Sequence, residues 1–152
     1  MTAVAVTSIP RFERFFREAA GLDVDKDDVK RHAEFVNHKL YDLLLVGQAH
    51  AGANGRDLVE SWDLPVTKGL QETVHDFRQL DQRIELRPIL EQLATLPPLD
   101  RALSEEAEAR LPELVGGLSL ALARTFTIVD PKLKNPSSRH WEQAFRIFDL
   151  LL

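Results

Sequence analysis

Four carboxylates that follow the first predicted helix have a spacing that could bind a metal ion. They match positions 1, 3, 5 and 12 of a calcium-binding loop, and they are Asp23, Asp25, Asp27 and Glu34. Such a loop needs glycine at position 6 for its sharp turn, and Asp28 stands there. We therefore interpret the segment as a helix start, with Asp25 as the N-cap and an acidic first turn that favours the helix dipole.

Histidine, serine and glycine give no catalytic or metal-binding pattern. No histidine pair has metal-ligand spacing and no His-Glu-x-x-His motif occurs; the five histidines are His32, His38, His50, His75 and His140. We expect them on helix surfaces or at the edge of the core. No serine lies in a nucleophile elbow, and cysteine is absent. Gly52 and Gly55 lack the strand and lysine of a phosphate-binding loop. We therefore predict no enzymatic activity, no metal, no cofactor and no small-molecule substrate.

Basic residues concentrate in one predicted loop, 132–139, which reads Lys-Leu-Lys-Asn-Pro-Ser-Ser-Arg. One interpretation is a site for backbone phosphates, because lysine and arginine neutralise phosphate charge. The other is ordinary solvated loop charge, balanced by the aspartates that we expect nearby. The residues alone leave both interpretations open.

Composition indicates a single compact domain over residues 1–152. The chain is 44% hydrophobic and 28% charged, with a net charge of −5 and no basic tail, which disfavours a cationic coat for DNA. The start of the chain has no charged region typical of a signal peptide. The longest apolar stretch, Leu114 to Ala123, is about half of the roughly 20 residues that a membrane span needs. We expect a cytoplasmic protein without a membrane association.

Apolar spacing predicts an all-α chain. Val29, Ala33, Val36, Leu40 and Leu43 follow one another at intervals of four and three residues, which is the seam of a long helix. Asp63 is predicted to cap the third helix, with Pro65 in its first turn. Caps and breakers complete the prediction, which places helices at 10–20, 26–52, 65–80, 88–95, 104–129 and 138–151.

The second half repeats the pattern of the first at an offset of 78 residues. Pro10 aligns with Pro88, and Leu40 aligns with Leu118, without a gap. Pro112 falls inside the second long helix, where we expect a break or kink. The two long helices are predicted to cross through Val36, Leu40, Leu43, Leu114, Leu118 and Ala121.

A short, a long and a short helix joined by brief loops resembles the histone fold. Arg56 and Asp63 strengthen the resemblance, because histone folds carry an arginine in the second loop that pairs with an aspartate seven residues later. Motifs at 9–80 and 84–152 together resemble a bacterial family of fused histone-fold pairs. In the second half Lys134 and Trp141 stand at the two aligned positions, so the ion pair is lost there.

The resemblance implies a pseudo-dimer in which the first loop of each motif lies beside the second loop of the other. Two-residue parallel pairings between such loops are common in histone folds, and the loop ends contact DNA phosphates. The candidate phosphate contacts are Lys26, Lys30, Arg56, Arg101, Lys132, Lys134 and Arg139. The predicted function is a binding module for a protein partner or a second copy, and the alternative is a nucleoid-type binder of the DNA backbone.

Overall fold

The computed structural model describes residues 8–93 and 98–152, and most of them are helical. The described helices are α1 (Ile9–Ala20), α2 (Lys26–Ala53), α3 (Lys68–Ile84), α4 (Arg87–Leu93), α5 (Glu105–Val129) and α6 (Ser138–Leu151). A 3₁₀ turn covers Ser61–Asp63, and strands β1 (Leu58–Val59) and β2 (Ala102–Leu103) pair in parallel. The mostly helical prediction is confirmed, with this small two-stranded sheet in addition.

The ends of the first two helices follow from their local sequence. Gly21 ends α1 in the left-handed conformation at φ 64°, which glycine adopts without strain. At the start of α2, the Asp28 backbone N–H donates to the Asp25 carboxylate and the Asp25 backbone N–H donates to Asp28. This reciprocal capping box satisfies two amides that would otherwise lack helical partners.

The predicted start of the third helix at residue 65 is wrong. Helix α3 begins at Lys68, where the Thr67 hydroxyl accepts from the Leu70 N–H at 3.2 Å. Asp63 instead belongs to the 3₁₀ turn, and its carboxylate is engaged by other groups. The helix also continues past residue 80 to Ile84. Helix α4 matches its prediction up to Leu93, and residues 94 and 95 lie outside the described residues.

Helix α5 runs without interruption through Pro112, so the expected break is wrong. A proline nitrogen has no proton to donate to the preceding turn, which removes one helical hydrogen bond. The helix tolerates this loss because it is buried along most of its length, including at Pro112 itself. The missing hydrogen bond weakens one turn, and the burial of the neighbouring turns compensates for it.

The two halves share one hydrophobic core. Five of the six residues predicted at the crossing of α2 and α5 are buried, and Ala121 is only partly buried. Helix α3 packs against α5 more extensively than any other pair of elements. Glycines permit this approach: a Cβ on Gly116 would lie 2.3 Å from the Phe77 ring, and one on Gly117 would lie 2.5 Å from Val74. The two glycines of α5, in the second half, therefore allow α3 of the first half to pack closely against it.

Among the described helices, α5 is the one that is long and apolar enough to cross a membrane by length and composition. In its most apolar 18-residue window, 61% of the residues are buried against the rest of the chain. A core helix has the same character, so length and composition are weak evidence for a span.

Candidate interaction surfaces

One end of the molecule, called the strand end here, comprises residues 56–63 and 100–106. The pairing of Leu58 with Ala102 brings these two segments together. Helix α2 leads from the opposite end of the molecule to this one, and its 28 residues span about 42 Å at 1.5 Å per residue. The opposite end, called the basic end, comprises residues 23–30 and 130–140, which meet where the Asp23 N–H donates to the Lys134 carbonyl at 2.7 Å.

Asp63 is the buried centre of the strand end. Arg56 grips its carboxylate with two hydrogen bonds of 2.5 and 2.6 Å. The Glu60 backbone N–H donates to it at 2.7 Å, and Nδ1 of His50 lies 2.5 Å from Oδ1. The Arg56 guanidinium, and then these two further partners, hold the pKa of Asp63 well below its usual range against the opposing effect of burial. The sequence spacing of Arg56 and Asp63 thus predicted a real contact, whereas the part played by His50 was not foreseen.

The two candidate phosphate contacts at the strand end face inward. Arg56 is engaged by Asp63, and its guanidinium lies 5.8 Å from the centre of the Trp62 ring. The Arg101 guanidinium packs against Gly52 near the end of α2, where a helix favours a cation. Four carboxylates at this end are exposed, and they belong to Asp57, Asp100, Glu105 and Glu106. Outward charge at the strand end is therefore acidic.

The five candidate phosphate contacts at the basic end are all exposed. They are Lys26, Lys30, Lys132, Lys134 and Arg139. None of the five forms an ion pair within residues 8–93 and 98–152. Of the nearby aspartates, Asp23 pairs with Arg17 at 3.7 Å and Asp25 serves the capping box, whereas Asp27, next to Lys26 in the sequence, is exposed. The structure thus brings these cations to one end, as predicted from the resemblance, and leaves them open to solvent.

Trp141 replaces the lost ion pair with a contact that the sequence analysis did not foresee. It aligns with Asp63, is fully buried, and donates its indole N–H to the Asp28 carboxylate at 2.8 Å. Burial raises the pKa of Asp28. Because 113 residues separate the partners, this hydrogen bond ties the start of α6 to the start of α2 across the two halves.

Two Ser–His contacts are also present. The Ser137 hydroxyl lies 2.8 Å from Nδ1 of His140, whose Nε2 is 3.3 Å from Asp130. The Ser137 backbone N–H also donates to that Nδ1, which is the arrangement of a helix cap. His32 and Ser119 form a fully buried pair at 2.7 Å between α2 and α5. Neither pair lines the two grooves described below.

The placement of His32 corrects the expectation of a surface or core-edge residue. It lies between the rings of Phe12 and Phe16, and Ser119 donates its own hydroxyl to the Val115 carbonyl. Burial lowers the pKa of His32 to about 3. The ring is therefore neutral in the folded protein, and its helical spacing gave no hint of this depth.

A network of charges between α2 and α6 was likewise missed. The buried ammonium of Lys39 pairs with Asp42 and with Asp149. His38 lies 3.6 Å from Asp42, so one histidine and two aspartates come within metal-ligand reach of one another. The hydrogen bond from Lys39 lowers the pKa of Asp149. The Lys39 ammonium balances part of the negative charge of these two carboxylates, so the cluster is an intramolecular ion network.

An apolar surface lies where α6 ends. Leu150 and Leu151 on its last turn are 84% and 71% exposed. A groove of about 460 Å³ on one side is lined in part by Val129 and Ile147. A groove of about 560 Å³ on the other side is lined in part by Val46. Five of the eight large apolar residues exposed in the described chain line these two grooves and form the C-terminal apolar surface, namely Leu45, Val46, Val129, Leu150 and Leu151.

These features define a mostly helical protein. Its two halves share one core, and each end of the molecule combines a loop from one half with a loop from the other. Residues 12–149 match a family described as "Domain of unknown function (DUF1931)", so the chain belongs to this family. Two proteins of Aquifex aeolicus (strain VF5), each described as uncharacterized, are relatives. One is 26% identical over 139 residues, covering 91% of this chain and 81% of the relative. The other is 33% identical over 124 residues, covering 73% and 72%.

Two crystal structures have the same fold. A protein from Thermus thermophilus is 53% identical, with a TM-score of 0.84 over 95% of this chain and 97% of that one. A protein from Aquifex aeolicus is 23% identical, with a TM-score of 0.83 over 95% of both chains. The second likeness concerns the fold alone.

Proposed function

We propose that this chain is a fused histone-fold pair that acts as a non-enzymatic binding module in the cytoplasm. Support for the fold assignment comes from the repeated order of a short, a long and a shorter helix. Further support comes from the parallel pairing of β1 with β2, which joins the second loop of the first motif to the first loop of the second. The Arg56–Asp63 pair is the residue-level feature that the resemblance requires.

The C-terminal apolar surface is the observation that carries the proposed activity, which is self-association. Exposed apolar patches on soluble proteins mark interaction sites. A two-fold contact needs a surface that complements itself, and this one supplies both a ridge and recesses. Leu150 and Leu151 form the ridge, and a groove flanks it on each side. A second copy is therefore the occupant that the shape favours.

Mass measurement by light scattering or sedimentation tests this contact. In about 500 mM salt, wild type should form a dimer whose population rises with concentration, because burial of apolar surface is not screened by salt. Leu150→Glu combined with Leu151→Glu should give a monomer. Leu58→Glu is the control, since it makes the same kind of substitution at one exposed leucine of the strand end, and it is compared with Leu150→Glu alone as well as with the double variant. A wild type that stays monomeric at millimolar concentration would overturn the proposal.

Binding of DNA backbone is the second candidate, favoured by the five exposed cations of the basic end. A gel-shift titration at several salt concentrations tests it. Each phosphate contact contributes roughly 0.9 to the salt slope, so five contacts give a slope no steeper than about −4 to −5. Lys132→Glu with Lys134→Glu should weaken binding equally on all sequences. Arg11→Glu with Arg14→Glu, on α1, should have less effect, and no binding at low salt would exclude this candidate.

A further inference from the structure

We propose a second mode of self-association, in which the basic segment 132–139 of one copy docks against the strand end of the next. This contact is separate from the C-terminal apolar surface and is governed by charge. Its basis is the opposite character of the outward-facing groups at the two ends of α2.

The strand end presents acidic groups around exposed apolar ones. Its residues include six carboxylates against two arginines, and both arginines are turned toward the protein. Trp62 is 65% exposed and Leu58 is 41% exposed within this acidic setting. One face of the indole already lies against the Arg56 guanidinium, 5.8 Å from the ring centre. The surrounding carboxylates attract cationic groups of a partner, which can pack against the exposed remainder of the ring.

The basic segment is held in one shape while its cations stay exposed. Leu133 packs against the core, and its backbone N–H donates to the Asp130 carbonyl at 3.0 Å. Its far end leads into α6, whose start is fixed by the buried Trp141. Lys132, Lys134 and Arg139 project from this fixed frame without ion pairs in the described chain. Docking of a pre-organised segment loses little conformational entropy.

The positions of the two ends determine the kind of assembly. They lie at opposite ends of α2, so the contact joins two different surfaces, and a contact of this type produces an open chain of copies when it does not close into a ring. Mass should therefore rise with concentration beyond a dimer. The contact should also weaken with salt, which separates it from apolar dimerisation.

The test uses full-length protein carrying Leu150→Glu and Leu151→Glu, so that the apolar contact is removed. Sedimentation at about 50 mM salt should show growth in mass with concentration, and about 500 mM salt should weaken association by roughly tenfold or more. Lys132→Glu with Lys134→Glu should abolish growth, as should Asp57→Lys with Asp100→Lys. A mixture of these two variants should associate again, because each supplies the charge that the other needs.

Arg11→Glu with Arg14→Glu controls for net charge, because it changes the total by the same amount as the lysine reversal and should leave association intact. Circular dichroism verifies that each variant is folded. Mass that stays monomeric at low salt, or a mixture that fails to associate, would overturn this proposal. Association that survives both charge reversals and high salt would also overturn it, while leaving the apolar contact to be judged by its own variants. Lysine reversal that removes DNA binding without changing mass would assign the segment to DNA instead.

Discussion

The strand end and the basic end each have a buried side chain at the start of a helical segment, Asp63 in one and Trp141 in the other. These two positions align, but their side chains form different bonds. At the strand end, Arg56 and Asp63 pair within one half of the chain. At the basic end, Trp141 reaches Asp28 in the other half. The Asp63 carboxylate engages a cation of its own loop, whereas within the described residues the Trp141 indole engages no cation. This contrast explains why Arg56 is engaged within its own loop whereas Lys134, at the aligned position, is exposed.

The two contacts also stabilise different parts of the molecule. A bond between residues seven positions apart organises a loop, and a bond between residues 113 positions apart holds the two halves together. Loss of the second contact should therefore cost more, because it removes a buried aromatic side chain and takes away one of the two donors to the buried Asp28 carboxylate.

Trp141→Ala should destabilise the protein more than any other change considered for the two ends. It should reduce the free energy of unfolding by about 3–5 kcal/mol, as is typical for removal of a buried aromatic side chain. Trp141→Phe keeps most of the ring and removes the indole donor, so it should cost roughly 1–3 kcal/mol. Urea denaturation followed by circular dichroism measures both. Trp62→Phe is the control at the exposed tryptophan, and a loss equal to that of Trp141→Phe would contradict the difference between the ends.

Asp63→Asn tests the strand end. The amide keeps the shape but loses the charge that Arg56 grips, and the expected loss of stability is roughly 1–3 kcal/mol. Because the pKa of Asp63 is lowered in the folded protein, its contribution is present at neutral pH and is lost as the pH falls below the ordinary range of aspartate. The stability advantage of wild type over the variant should therefore shrink steadily as the pH falls from about 5 towards 2. Equal pH profiles above and below pH 4 would show that the pair contributes nothing.

His32 lies in α2 just beyond the basic end, and its protonation should change the stability of the protein gradually with pH. Its pKa is about 3 in the folded protein against 6.5 for an ordinary histidine, so the unfolded chain binds the additional proton. Stability should thus be fully present above pH 6.5 and fall by about 1.4 kcal/mol per pH unit below it. Asp28 acts in the opposite direction, since its pKa is raised. A variant that removes only the histidine therefore separates the two contributions.

His32→Gln should flatten this slope, whatever its effect on stability at neutral pH. His75→Gln is the control, because His75 is exposed on α3. A slope that persists in His32→Gln would assign the acid sensitivity to another group.

Several features of the fold follow directly from short stretches of sequence. Asp25 and Gly21 mark helix ends because their bonds involve neighbours within five residues. The long seam in α2 predicts its length, since apolar spacing alone determines which face can be buried. The pairing of Arg56 with Asp63 was predicted from the resemblance to histone folds, which carry this pair at the same seven-residue spacing.

Other features required the packed structure. The start of α3 was misplaced because the Asp63 carboxylate is taken by Arg56 and by the Glu60 amide, which leaves the cap to Thr67. Pro112 failed to break α5 because packing along the helix outweighs one missing hydrogen bond. Local propensity competes with tertiary contacts at such sites, and the sequence contains no direct measure of those contacts.

Local sequence is sufficient for the helical segments, most of their caps, the loop ion pair and the grouping of basic residues in 132–139. The hydrogen bond from Trp141 to Asp28, the burial of His32 and the C-terminal apolar surface emerge only when the chain is packed. The physical reason is distance along the chain. Bonds that close over a few residues are encoded in local spacing, whereas burial and exposure depend on which distant surfaces meet when the two long helices cross.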